Sequence, residues 1–147
     1  MRIRRFRKGD AGKVSRMIRS SLYQANIKDY PAHALDYIAK TNSPSELIKR
    51  SKHQDIFVVV DKNRIIGTSN IEANHIGATF VHLSRQRMGA GSKLIRHMEK
   101  IAKKRGIRKL ILYSALSAWC FYKKLGYKKI RIKRMKIGRV VLMEKRL

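Results

Sequence analysis

Between Gly89 and Gly106 the sequence holds its most regular helical period. Leu94, Ile95, Met98, Ile101 and Ala102 recur on one face of a helix spanning Gly89 to Arg105, and Gly106 stops it. An apolar strand pattern, Ile76 to Leu83, precedes this helix, and another, Lys109 to Tyr113 through Leu110, Ile111 and Leu112, follows it. Strands that alternate with helices are expected to lie parallel in a shared sheet, so any fold for this chain must contain such a crossover.

The rest of the chain builds around that unit. Ile3 to Phe6 reads as a short strand, and Asp10 is placed to cap a helix carrying Val14, Met17, Ile18 and Leu22. Pro31 opens a second helix with Ala34, Leu35 and Ile38, and Ser43-Pro44-Ser45-Glu46 begins a short third. Asp55 to Val60 and Arg64 to Ile71 form a hairpin around Asp61-Lys62-Asn63. Ser117 to Leu125 is a helix ended by Gly126, and Tyr127 to Arg146 should give two strands around a turn at Gly138. The expected fold is a single α/β domain, residues 1–147, whose mixed, partly antiparallel central sheet is flanked by helices.

Composition narrows the function classes. Hydrophobic residues make up 44% of the 147, enough for a packed core. No apolar run is long enough to span a membrane, and Met1-Arg2-Ile3-Arg4-Arg5-Phe6-Arg7 lacks the apolar core of a secretory signal, so a cytoplasmic protein without membrane contact is expected. A lone cysteine, Cys120, excludes an internal disulfide framework and a cysteine-built zinc site. Lys and Arg number 36 against 9 Asp and Glu, a formal net charge of +27. Such a chain attracts phosphate-rich partners and disfavours polycationic ones at long range. The same charge is also compatible with a plain solvated surface. The basic residues are scattered, and no known RNA or DNA motif accompanies them.

The segment Val81-His82-Leu83-Ser84-Arg85-Gln86-Arg87-Met88-Gly89-Ala90-Gly91-Ser92 ends a strand and starts the long helix. Backbone N–H groups at a helix start lack internal partners and carry partial positive charge. Glycines let an anion approach them closely, which makes a phosphate cradle. Alone, the segment equally describes a tight strand-to-helix connection. It lacks the Gly-Lys-Ser/Thr of a Walker loop and the third glycine and acidic residue of a dinucleotide fingerprint.

A second segment, Ala118-Trp119-Cys120-Phe121-Tyr122-Lys123-Lys124-Leu125-Gly126-Tyr127, lies one strand later. Taken together, the two resemble the GNAT superfamily of acetyl-CoA-dependent N-acetyltransferases. Gln86-Arg87-Met88-Gly89-Ala90-Gly91 is similar to its pyrophosphate loop, Phe121 to Tyr127 to its C-terminal Phe-Tyr-x-Lys-Leu-Gly-Phe/Tyr segment, and Arg64-Ile65-Ile66-Gly67-Thr68 to its third strand. Ser114-Ala115-Leu116-Ser117-Ala118 and Asn26 to Pro31 resemble a version found in some uncharacterised bacterial and archaeal members.

The resemblance implies a transferase, acetyl-CoA as cosubstrate and a set of roles. The N–H groups of Arg87, Met88, Gly89, Ala90, Gly91 and Ser92 would hold the diphosphate, with Gln86 a cofactor-binding residue of the same loop. Thr79, Phe80 and Val81 would lie on a splayed fourth strand beside the pantetheine arm. Tyr122 would give a proton to the departing thiolate. That role suits the chemistry, because a thiol titrates near ~8.5 and a phenol near ~10, so the tyrosine is protonated when the thiolate leaves. Tyr122 also has the position of a core aromatic beside Ala118, Phe121 and Leu125.

The sequence departs from the family where an asparagine commonly contacts the cofactor arm; Ala115 stands there, with Ser114 and Ser117 as neighbouring hydroxyls. No carboxylate lies on the fourth or fifth strand. Glu72 and His75 are the candidate bases, acting through water, and each is also compatible with a structural role. Tyr23, Asn26, Asp29 and Tyr30 fall on the expected acceptor side, where Asp29 could bind an ammonium. Nothing near Cys120 suggests a nucleophile triad. The expected reaction is direct transfer to an amine of a small molecule or protein in a ternary complex. Nucleic-acid or ribosome association, a homodimer and a cofactor sensor without turnover stand as further expectations.

Overall fold

The computed structural model describes residues 1–24 and 30–147. β1 (Arg2–Arg5) leads into three helices, α1 (Ala11–Gln24), α2 (Ala32–Thr41) and α3 (Pro44–Arg50). Strands β2 (Asp55–Asp61), β3 (Arg64–Glu72) and β4 (His75–Val81) follow, then α4 (Ala90–Lys104), β5 (Lys109–Ser114), α5 (Trp119–Lys124), β6 (Lys128–Met135) and β7 (Gly138–Arg146). The strands form one sheet in the order β1-β2-β3-β4-β5-β7-β6. Every neighbouring pair is antiparallel except β4 and β5. The fold is thus the mixed α/β sheet with flanking helices that the element order implies.

Local chemistry explains the elements. Lys62 and Asn63 turn the β2–β3 hairpin with φ of 49° and 64°, the paired left-handed geometry whose twist matches the flanking strands. Ser43 caps α3 by accepting the Glu46 N–H at 3.3 Å, with Pro44 in the first turn. Asp10 directly precedes α1, but its buried carboxylate turns back to the Arg7 N–H at 2.8 Å and the Arg4 guanidinium at 2.7 Å.

The apolar run of β2 is continuous because both faces of the sheet are covered. Val58 and Val60 pack with Val14, Ile18, Leu22, Leu35 and Leu47 of the first three helices. Phe57 and Val59 pack on the opposite face with Leu94, Ile95, Met98 and Ala102 of α4, the stripe that defines the long helix in the sequence.

Most element boundaries shift by a residue or two from the sequence expectation, and three of these shifts bear on the site and the sheet edge. β4 ends at Val81, because His82 begins a short 3-10 turn in which its Nδ1 accepts the Ser84 N–H at 3.2 Å. α5 starts at Trp119 rather than Ser117, the preceding residues forming a turn. The final hairpin turns at Lys136 and Ile137, with Gly138 (φ 109°) as the first residue of β7. β7 then inserts between β5 and β6, which leaves β6 at the sheet edge.

Candidate active site

β4 and β5 are paired only at His75–Ile111 and Ile76–Leu112. Beyond that point they part. On β4 the departure coincides with a bulge: Thr68 faces Phe80 and Asn70 faces Gly77, so one residue of β3 opposes two of β4. Ala78 occupies the bulge with φ of 47°. Gly77 to Val81 therefore present a backbone edge that, among the described residues, has no strand on its β5 side. The gap opens into a cleft of about 860 Å³, walled by β4, the end of β5, the start of α4, α5 and parts of α1 and α2.

One end of the cleft is the loop from Gln86 into α4. Arg87 and Gly89 take left-handed backbone angles, φ 67° and 85°. No side chain caps the helix start, and the first intrahelical bond is from Lys93 N–H to the Gly89 carbonyl. The N–H groups of Ala90, Gly91 and Ser92 are left without helical partners, and those residues line the cleft with Gln86, Arg87 and Gly89. A Cβ on Gly91 would stand 3.1 Å from the Phe121 ring, so glycine there lets α5 close against the helix start. These features suit an anion: uncapped donors, a helix dipole and an adjacent guanidinium. Met88 is exposed and stands outside the cleft walls.

Tyr122, on α5, is a further wall of the cleft. It is buried, edge-on to Phe121 and Tyr127, and lines the cleft beside Thr79. Burial pushes its phenol up from the usual value, and the Thr79 hydroxyl opposes that shift. Thr79 Oγ1 also lies 2.8 Å from the buried Ser69 hydroxyl. α5 is braced from behind: the Tyr127 O–H donates to Glu99 at 2.9 Å, and Lys145 bonds both Glu99 at 3.1 Å and the Leu125 carbonyl at 2.8 Å. Ser114 lines the cleft but donates its own proton to the Ala115 carbonyl at 2.8 Å, leaving its oxygen as an acceptor. Ser117 stands outside the walls.

The far end of the cleft holds Glu72 and His75, paired across the β3–β4 turn. His75 is edge-on to Tyr113, with ring centroids 5.5 Å apart. Burial lowers its pKa below 6.5, while the Glu72 charge pulls the other way. The shift favours the neutral imidazole, which can accept a proton. Glu72 accepts from Gln54 Nε2 at 2.7 Å, and Gln54 Oε1 in turn accepts from Asn70 Nδ2. This amide relay was not legible in the sequence, where Gln54 and Asn70 carry no motif. Arg50 and Tyr37 are further wall residues of the same kind. Tyr30 lies in the wall, whereas Tyr23 is exposed outside it and donates to Asp36 at 2.8 Å. Asn26 and Asp29 lie outside the described residues.

Comparison with known proteins agrees with this geometry. A family model, that of the Acetyltransferase (GNAT) domain, matches residues 21–147. The chain belongs to the GNAT acetyltransferase family. Among solved structures it is similar to a GCN5-related N-acetyltransferase from Rhodopseudomonas palustris, with 22% identity, a TM-score of 0.92 and 99% of this chain and 95% of the other covered. It is similar also to the PaiA N-acetyltransferase of Thermoplasma acidophilum, solved in complex with coenzyme A, with 22% identity, a TM-score of 0.82 and coverage of 99% and 98%. An aminoglycoside 6′-N-acetyltransferase from Enterococcus faecium shares 15% identity, with a TM-score of 0.74 and coverage of 99% and 97%. No curated protein matches the sequence.

Proposed function

We propose that the protein transfers the acetyl group of acetyl-CoA to an amine by direct attack within a ternary complex. The observation that carries this reading is that the uncapped start of α4 and the buried phenol of Tyr122 open into one cleft, at the place where β4 leaves β5.

In this reading the diphosphate of acetyl-CoA sits on the N–H groups of Arg87 to Ser92, with the Arg87 charge beside it. The net charge of +27 raises the encounter rate with so anionic a substrate. The pantetheine arm runs along the β4 edge at Thr79, Phe80 and Val81, where the N–H groups that face away from β3 would polarise the thioester carbonyl. Ser114 offers an acceptor to the arm's amides. The acceptor amine attacks the carbonyl carbon, a C–N bond forms and the C–S bond breaks. Tyr122 gives its proton to the departing sulfur, solvent returns a proton to the phenolate, and the nitrogen loses one proton to water.

That proton leaves toward Glu72 and His75. His75 is four residues from Thr79 along β4, roughly 10–13 Å, so its contact with the attacking amine runs through water. The neutral imidazole is the stronger candidate base, with Glu72 set by the Gln54–Asn70 relay to hold a positive charge nearby. The acceptor enters past Tyr30, as an amine on a small molecule or a protein.

The test is release of the CoA thiol from acetyl-CoA over a panel of amino acids, peptides and small amines. Amine-dependent thiol release supports the reading. Tight acetyl-CoA binding with no release for any amine favours a sensor of the cofactor, and absence of binding removes the reading.

A further inference from the structure

We propose that the β6 edge, together with α5 and the β6–β7 turn, is a docking surface for a nucleic-acid strand. Nine of the seventeen residues from Lys123 to Arg139 are Lys or Arg, and none is Asp or Glu. None of those nine forms an ion pair among the described residues. The segment is local, unlike the diffuse charge of the rest of the chain, and the topology concentrates it. Because β7 inserts beside β5, β6 is the last strand of the sheet, with its outer N–H and C=O groups unpaired by any strand among the described residues.

All of β6 is exposed apart from Lys133, which is half-buried. A lysine or two on an edge strand is a common guard against strand pairing. Five cations in eight residues, two of them arginine, exceed that need.

Register decides what kind of polyanion fits. Lys129, Ile132 and Arg134 pair with Met143, Val141 and Arg139, so they lie on the α4 face of the sheet. Arg131, Lys133 and Met135 pair with Leu142, Val140 and Gly138 on the other face. The side-chain contacts agree: Lys129 Nζ is 5.4 Å from the Trp119 ring on the first face, and Lys133 Nζ is 5.3 Å from the Tyr113 ring on the second. Cations therefore project from both faces, and, of the exposed apolar side chains, Ile132 and Met135 lie on opposite faces while Ile130 sits at the register shift between Lys129 and Arg131. A bilayer would touch one face and would favour apolar groups gathered on it. A flexible phosphate chain can follow the edge and meet cations on both sides. The turn residue Ile137 also lines the cleft, so a strand bound along this edge runs up to the mouth of the active site. The docking surface does not depend on acetyl transfer.

The test is fluorescence anisotropy with a fluorescein-labelled single-stranded RNA about 20 nucleotides long, between about 50 and about 200 mM NaCl. Two triple variants carry the same change in net charge: Lys129→Glu/Arg131→Glu/Arg134→Glu on β6, and Lys8→Glu/Lys13→Glu/Arg16→Glu at the opposite end of the chain. The β6 variant should lose at least about tenfold in affinity at low salt, and its log–log salt slope should fall by ~2, the value for three lost phosphate contacts. The control should stay within about threefold of wild type. Equal losses in both variants would show that net charge alone binds RNA and would overturn the proposal. So would weak, salt-independent binding, or binding of phosphatidylserine vesicles, but not RNA, through the same residues. Circular dichroism melting checks the fold, and the corresponding glutamine triple serves if the glutamates unfold the chain.

Discussion

The hydroxyls of Ser69 and Thr79 lie 2.8 Å apart across the bulge of β4, and Thr79 adjoins the phenol of Tyr122. Ser69 is fully buried. Replacing Thr79 with valine strands the Ser69 hydroxyl, at about 1–2 kcal/mol of stability. It also removes the polar neighbour of Tyr122. We expect Thr79→Val to lower kcat about tenfold with little change in the KM for acetyl-CoA, and Thr79→Ser to restore it. A simple loss of stability would lower Tm without this kcat-specific loss and would leave the serine variant no better.

Tyr122→Phe removes the proton donor while keeping the ring that packs on Phe121 and Tyr127. Turnover should fall by about 10²–10³-fold. Acetyl-CoA affinity, measured by calorimetry, should change by less than about threefold, since the diphosphate site is untouched. Burial raises the phenol above its usual range, so no alkaline loss of kcat from this group is expected below pH ~10. Full activity in the phenylalanine variant would remove Tyr122 from the chemistry.

His75 gives the acid side of the pH profile. Burial holds its folded pKa below the ordinary histidine value, so kcat/KM should hold through neutral pH and fall only on the acid side of that value. The same shift affects stability. The unfolded chain binds this proton at higher pH than the folded one, so the contribution is full above ~6.5 and is lost as pH falls through the folded value. His75→Gln should abolish the acid limb and lower kcat/KM, whereas Glu72→Gln should chiefly raise the acceptor KM. An unchanged acid limb in His75→Gln would assign the base elsewhere.

Two glycines of the α4 entrance fail for different reasons. Gly89 has open space around it but a φ of 85°, so alanine there costs about 1–2 kcal/mol in backbone strain and tilts the N–H groups. At Gly91 the obstacle is the Phe121 ring, 3.1 Å from any added Cβ. Both alanine variants should raise the KM for acetyl-CoA by about tenfold, with the Gly91 change also lowering kcat through α5. Measured KM values equal to wild type in both would detach this loop from the cofactor.

Periodicity and turn chemistry made most of the fold legible. The α4 stripe, the Asp61-Lys62-Asn63 hairpin and the Ser43-Pro44 helix start are local signals, and each appears in the structure. The insertion of β7 between β5 and β6 was not legible, because strand order is a long-range choice that no residue near Gly138 encodes. The candidate site divides along the same line. The strand–glycine–helix segment advertises its anion cradle in sequence, while Gln54, Asn70 and Glu72 meet only through the pairing of β2 with β3. Ser114 shows a further limit. Its position beside the cleft was readable, but the donation of its proton to the Ala115 carbonyl depends on the backbone bend after β5.

The claim on which the rest depends is tested most directly by a crystal structure with coenzyme A. The account predicts the diphosphate on the N–H groups of Arg87 to Ser92, the pantetheine arm along Thr79 to Val81, and the sulfur within hydrogen-bond reach of Tyr122. A diphosphate bound elsewhere, or a thiol end directed away from the parting of β4 and β5, would contradict it.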